Sequence, residues 1–450
     1  MSSSATRKRH RLTIMFMLAA VTTTPVFPAA AVSIPNPAVV TARADAFGVE
    51  GVETRRLDDA GLLVTGKLDG RPFSIAVPDD WNGDAVVYAH GYSLPGTPTA
   101  VAANPAAPDA PMILQMAFGE KYAAAHSAYD KAGMGVESGA AASLRLRDLL
   151  VQIGAKRIFA MGVSMGGNIV MTMIEQNPDA FDGAFSGCGV TDGWETQMGP
   201  IFDMRAAYNV LTSGTPYALP GIQDVTASAL PMVPPADFQG SAEQFVQQQS
   251  ARIAAPILAL WSAAVKAPQG PEARIVRQLV AIGGFPEDVA SLLYPLVIIS
   301  LGTDDMRATF GGQFYGNRAK DYRPVEMNDA EAAAFNTAVQ RFDGDNDALA
   351  NARRFHQVRG TFRKPLVAVH NRLDPLVAYA QAEALTRHAR NGGTEALLLQ
   401  YALPDVREPL RFGVEGLAHC GFTKPQMAEA LGLLRAWVIG GQRPHAPEAR

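Results

Sequence analysis

Between Phe159 and Met171 the chain reads FAMGVSMGGNIVM, with a single serine set among three glycines. A serine hydroxyl is a weak nucleophile unless a sharp turn exposes it and a neighbouring base takes its proton. Gly162-x-Ser164-x-Gly166 has the spacing of a turn that does the first of these, provided it joins a buried strand to a helix. On such a turn the serine is forced into an unfavourable backbone conformation. Side chains at 162 and 166 would collide as strand and helix close on one another. The same small residues would also suit a close strand-helix crossing with no chemistry, so an acid and a base are needed elsewhere in the chain.

Both occur after the serine, in the order that this elbow uses, Ser then Asp then His. Asp374 follows the apolar run PLVAVHNRL, and His419 lies in GLAHCGFTKPQ ahead of the last amphipathic helix, for which Thr423 is an N-cap candidate and Pro425 a first-turn residue. Both are expected on loops at the sheet edge where open α/β sheets bind ligands. Asp192, in VTDGW, is the competing acid, and its strand-end position is less apt than that of Asp374. Among the other histidines, His10 and His445 belong to the two ends of the chain. His126 and His370 fall in buried runs as hydrogen-bonded core residues, and His356 and His388 lie on helix surfaces.

Certain elements must hold these residues. GLLVTGKLDG and RPFSIAVPDDW read as a hairpin broken by Asp-Gly and Asn-Gly turns. DAVVYAHG, KYAAAHSAY, KRIFAMGVS and DGAFSGCGV are short apolar runs of the type buried on both faces of a parallel sheet. Helical periodicity over AAASLRLRDLLVQIG and GGNIVMTMIEQNP alternates with them, so the fold class is α/β with a mostly parallel central sheet. The rhythm stops near Thr191 and resumes at Lys364. The stretch between has helical spacing, with Pro and Gly separating its segments. The expected organisation is therefore a core of residues 32–190 and 361–441, an inserted helical cap of residues 191–360 between the sixth and seventh strands, and a tail of residues 442–450. Trp194, Phe202, Met204, Trp261 and Tyr294 give that cap an apolar character, suited either to its own packing or to an apolar substrate.

In a chain of 450 residues with 48% hydrophobic and 18% charged residues, a large core can close and disorder is excluded as the main state. RKRHR followed by LTIMFMLAAV and by PAAAVS predicts a secretory signal over residues 1–31, cleaved after Ala31. Pro25 and Pro28 interrupt the run well short of the ~20 residues that a span requires. The expectation is a secreted or periplasmic protein with no stable membrane span once the signal is cleaved. Without Arg7, Lys8, Arg9 and Arg11 the balance is 35 positive against 43 negative charges, a net of -8, which leaves no nucleic-acid footprint. DGDNDA, Asp343 to Ala348, starts like a calcium loop but has Ala348 and Arg354 where Gly and Glu are required. Nothing in the spacing of Cys and His predicts a metal, and no glycine fingerprint predicts a cofactor.

Through YAHGY, GVSMGG, NRLDP and AHCGF, from about Gly61 to Gly441, the chain resembles the α/β-hydrolase superfamily, and within it bacterial secreted serine esterases and lipases. The resemblance implies Ser164 as nucleophile, His419 as general base and then acid, and Asp374 as the group that orients the imidazole. It also implies an oxyanion hole made by the backbone N–H groups of Tyr92 and Met165, with His90 ordering the loop. Its implied substrate is a small-molecule or polymeric ester. Tannases and related feruloyl esterases join cysteines beside the catalytic Ser and His. Here Cys420 adjoins His419, but Val163 precedes Ser164, and the other cysteine is Cys188. A Cys188–Cys420 bridge and two buried thiols both remain open, with export favouring the bridge. GVSMGG also resembles the elbow of prolyl-oligopeptidase relatives, so a serine peptidase is the alternative, although little chain precedes the core to form a propeller. A noncatalytic binding protein on the same fold is the remaining reading.

Overall fold

The computed structural model describes residues 36–58, 60–99, 101–447. The predicted signal segment, residues 1–31, lies outside the described residues. In chain order the elements are α1 (Pro37–Phe47), β1 (Glu50–Leu57), β2 (Gly61–Leu68), β3 (Arg71–Pro78), β4 (Asp84–Ala89), α2 (Met112–Gly119), β5 (Ala123–Ser127), α3 (Val136–Ile153), β6 (Arg157–Val163), α4 (Met165–Gln176) and β7 (Gly183–Gly187). Six helices follow before the next strand: α5 (Trp194–Leu211), α6 (Ala242–Lys266), α7 (Pro271–Gly283), α8 (Ala290–Phe310), α9 (Asp329–Ala338) and α10 (Asn346–His356). The chain then completes β8 (Leu366–Asn371), α11 (Ala380–Asn391), β9 (Leu398–Leu403), the small strands β10 (Arg407–Pro409) and β11 (Glu415–Leu417), and α12 (Lys424–Gly440).

Nine strands form one sheet in the order β1-β2-β3-β5-β4-β6-β7-β8-β9. The first four in that order pair antiparallel, and from β5 through β4 to β9 every pairing is parallel. The parallel strands β4, β5, β7 and β8 are buried along their whole length, because helices cover both faces of the sheet. One face packs against α3 and α4 through residues such as Leu146, Leu149, Ile169 and Met173, and the other packs against α2 and α12 through Leu114, Met427 and Leu434.

Apolar patterning places the first strand at Gly61. An earlier strand, β1, pairs with β2, so the helical insertion lies between the seventh and eighth strands rather than the sixth and seventh. Its residues, EGVETRRL, are mostly exposed because β1 is the sheet edge, which removes the hydrophobic alternation that marks a half-buried strand. Among the described residues no helix is long and apolar enough to cross a membrane.

Strand order brings the carboxyl ends of β4, β6, β7 and β8 side by side. The elbow between β6 and α4 is tight. A Cβ on Gly162 would collide with the Gly166 carbonyl, and one on Gly166 with the Ala89 carbonyl at the end of β4. The change Gly166→Ala is thus expected to destabilise the fold by about 1–3 kcal/mol through overpacking. Urea denaturation measures it, and an unchanged midpoint would show that the crossing is looser than described.

Candidate active site

Ser164 occupies the turn between β6 and α4 with φ 58 and ψ -127. For a residue with a Cβ this left-handed φ costs on the order of 1–3 kcal/mol. Backbone bonds on both sides hold it there: the Ser164 N–H donates to the Gly187 carbonyl of β7 at 2.9 Å, and the Ser164 carbonyl accepts from the Gly167 N–H in the first turn of α4 at 2.9 Å. The turn places Ser164 just past the carboxyl end of β6, at the first position before α4.

His419 Nε2 lies 2.9 Å from Ser164 Oγ. Its Nδ1 lies 2.9 Å and 3.0 Å from the two carboxylate oxygens of Asp374. An ionised carboxylate can only accept, so Nδ1 carries the ring proton and Nε2 is left to accept from the Ser164 hydroxyl. Asp374 follows β8 and is fully buried. Its Oδ1 also accepts from the Leu376 and Val377 N–H groups at 2.9 and 2.8 Å, and its Oδ2 from the Cys420 N–H at 3.3 Å. Burial acts to raise the Asp374 pKa, but the nearby His419 charge and hydrogen bond, His370 and the Leu376 N–H outweigh it and bring the carboxyl below its ordinary range.

The two acids separate by partner. Asp192 sits 2.8 Å from His388 Nε2, and its N–H donates to Gln381 Oε1. His126 accepts from the Ala102 N–H, and burial lowers its pKa to about 4. His370 is buried and bonded to the Val377 carbonyl. Neither is within the serine's hydrogen-bond set.

The loop after β4 passes close beside the serine: a Cβ on Gly91 would lie 3.5 Å from Ser164 Cβ. His90 stacks on Tyr129 with ring centroids 3.7 Å apart, and the Tyr129 hydroxyl donates to the His90 carbonyl at 3.2 Å. His90 is thus tied into its loop and does not reach the serine's partners. Tyr92 follows on this loop. Met165 is the first residue of α4, where a helix leaves backbone N–H groups without intrahelical acceptors.

Cys188 and Cys420 form a disulfide with a Cα–Cα distance of 5.7 Å. It ties the end of β7 to the residue after His419. With the two sulfurs bonded to each other, the cluster they form with Asp374 and His419 offers no thiolate ligands. The bridge spans 232 residues of sequence. Its reduction, or Cys188→Ser, is expected to lower stability by about 2–5 kcal/mol and to reduce turnover by freeing the histidine loop. Denaturation with and without reductant checks this, and coincident curves would contradict it.

A cavity of about 360 Å³ opens beside the site between α6, α8 and the β10–β11 hairpin. Tyr92, Leu94, Val246, Tyr294, Val297 and Leu410 line it. Tyr294 of α8 also approaches the His419 ring at 6.3 Å between centroids. Of the apolar residues singled out by sequence between 191 and 360, Tyr294 faces this cavity, Trp261 packs half-buried against the core, and Trp194, Phe202 and Met204 are buried in it. KYAAAHSAY carries no sign that the ring of Tyr129 stacks on His90, a contact that only the fold creates.

Residues 118–209, which run through the elbow, match the model of the prolyl oligopeptidase family. No curated protein matches the chain in sequence. Among solved structures the chain is similar to feruloyl esterase B from Aspergillus oryzae, at 11% identity over 90% of this chain and 91% of that one, with a TM-score of 0.42. It is similar also to 2-hydroxy-6-oxo-6-phenylhexa-2,4-dienoate hydrolase from Rhodococcus sp. strain RHA1, at 13% identity over 86% and 99% of the two chains, with a TM-score of 0.35. A third likeness is to the rice cell wall degrading esterase LipA from Xanthomonas oryzae, at 11% identity over 83% and 89%, with a TM-score of 0.38. Superpositions this loose say nothing about substrate. By its own sheet order and strand-to-helix elbow, with the matched segment running through that elbow, the chain is a hydrolase of the α/β-hydrolase fold.

Proposed function

We propose that the protein cleaves carboxylic esters through an acyl-enzyme, with Ser164 as nucleophile, His419 as base and acid, and Asp374 as the group that holds the imidazole. The observation that carries this reading is the continuous hydrogen-bonded line from Ser164 Oγ through His419 to the buried Asp374. Ser164 Oγ attacks the ester carbonyl carbon as His419 Nε2 takes its proton. The carbonyl π electrons move to oxygen, and the N–H groups of Tyr92 and Met165 receive that oxyanion. Each donor would be worth roughly 2.7–4 kcal/mol to the transition state. Collapse expels the alkoxide, which leaves as the alcohol with the proton from His419. Water then adds to the acyl-serine by the same route, releasing the acid and regenerating Ser164.

Asp374 supplies orientation and charge: with Nδ1–H fixed toward it, the imidazolium formed at each step is stabilised without proton transfer to the carboxylate. The apolar cavity beside Tyr294 suits an acyl or aryl group, and the cap formed by residues 191–360 would shield the reacting carbonyl from water. We assign the substrate to small-molecule or polymeric esters, and the residue 1–31 segment to export into the periplasm or medium. The match to the prolyl oligopeptidase family favours one second reading, a serine peptidase using the same three side chains. A panel of p-nitrophenyl esters and aminoacyl anilides separates the two. Ester turnover is the expected result, and hydrolysis of anilides alone would overturn the ester assignment.

A further inference from the structure

Two residues of α8, three positions apart and so on one face of the helix, bear on the loop that carries Tyr92. The first is Gly302. A Cβ there would collide with the Tyr92 hydroxyl, so the tyrosine ring extends to the helix backbone itself. That hydroxyl is buried and has no hydrogen-bond partner among the described residues. An unpaired buried hydroxyl is a cost, so the ring's place on α8 is owed to shape rather than to its polar tip.

The second is Asp305. Its Oδ2 accepts the Met134 N–H at 2.7 Å, and its Oδ1 accepts from Lys131 Nζ at 2.5 Å. The same lysine also donates to Thr309 Oγ1 at 2.6 Å, one turn along α8. Between Lys131 and Met134 the chain turns at Gly133 with φ 88, directly under the Asp305 carboxylate, where a Cβ would collide with it. The Gly133 N–H then donates to the Ser93 carbonyl at 2.9 Å. Ser93 is the residue after Tyr92. The helix therefore grips the loop twice, once through the Tyr92 ring and once through Asp305, Gly133 and Ser93. Stacking of His90 on Tyr129 fixes the loop's other end.

We propose that Asp305 is a positioning residue for the oxyanion hole: through the 131–134 turn, helix α8 sets the place of the Tyr92 backbone N–H relative to Ser164. This rests on the assignment of that N–H as an oxyanion donor under the function proposed above. The inserted helices then act as part of the scaffold for transition-state binding, in addition to covering the site. A displacement of about 1 Å in such a donor can cost on the order of 10²-fold in rate while leaving ground-state binding nearly unchanged.

The test uses the full chain and the variants Asp305→Ala and Asp305→Asn, with Arg353→Ala as a control. Arg353 pairs with Glu195 within the same helical insertion, and among the described residues its side chain makes no hydrogen bond or ion pair to the loop. Asp305→Ala is expected to lower kcat for p-nitrophenyl butyrate by roughly 10- to 100-fold with KM within about threefold. It should weaken a trifluoromethyl ketone, which forms an oxyanion on Ser164, by a similar factor. Deuterium uptake across residues 90–94 should rise. Asp305→Asn keeps an oxygen for the Met134 N–H but not the charge paired with Lys131; it is expected to lower kcat by about threefold to tenfold, less than the alanine variant, and it serves alone if the alanine variant does not fold. Unchanged kcat and unchanged uptake in the folded variant would overturn the proposal, as would an equal effect of Arg353→Ala. If the wild-type protein turns over no ester, the functional reading fails, and the uptake of residues 90–94 still decides whether Asp305 holds the loop.

Discussion

Replacing Ser164 by Ala is expected to lower kcat for a p-nitrophenyl ester by on the order of 10⁶-fold, with KM little changed. The change removes one oxygen atom. It keeps the Cβ that the elbow already accommodates at φ 58, so the strain, the Ser164-position N–H bond to Gly187 and the packing of α4 on β6 remain. The oxyanion donors also remain, so a residual acceleration of roughly 10³–10⁴ over water should persist. Steady-state kinetics, with a denaturation curve to show that the fold is intact, measures the effect. A variant within tenfold of the wild type would show that another group attacks the ester.

Asp374→Asn is expected to lower kcat by roughly 10⁴-fold, whereas Asp192→Asn should leave it within about twofold. At position 374 the side-chain oxygen of Asn would stay with the Leu376 and Val377 N–H groups that now bond Oδ1. Its NH₂ would then face His419 Nδ1 and the Cys420 N–H, where Oδ2 now accepts. The amide oxygen stays 2.9 Å from Nδ1, but it carries no charge to stabilise the imidazolium, and the NH₂ beside it competes for Nδ1 and favours the tautomer with the proton on Nε2, in which the ring cannot accept from Ser164. The same change alters acid stability. Because the native carboxyl titrates below its ordinary range, its contribution to stability is complete above that range and lost as pH falls through the lowered value. Asp374→Asn should therefore flatten the decline in stability below about pH 4. Asp192 is bonded to His388 instead, and equal kinetic losses at both positions would contradict the assignment.

How far these features were legible in the chain depends on how local their causes are. The elbow is a contiguous six-residue pattern, and the reasons for its glycines are contacts with Ala89 and with the turn itself. The buried parallel strands declare themselves as apolar runs bounded by turns. The edge strand β1 does not, because exposure leaves it free to be polar. Asp374 and Asp192 both follow strands in the sequence, and only the arrangement of β7, β8 and α11 brings one to His419 and the other to His388. The disulfide joins residues 232 positions apart, so spacing could not decide between a bridge and two thiols. Asp305 and Gly302 gave no signal at all. A glycine and an aspartate in an apolar helix acquire their meaning from a loop some 170 to 210 residues earlier.

Labelling by a fluorophosphonate, followed by mapping of the modified peptide, tests whether Ser164 is the activated nucleophile. The reagent requires a serine whose proton is taken by a base, independent of the substrate the cavity has been shaped to hold. One adduct per chain is expected, on Ser164, lost in Ser164→Ala and strongly slowed in Asp374→Asn. An ester-hydrolysing preparation that takes up no label, or takes it up at a residue other than Ser164, would contradict it.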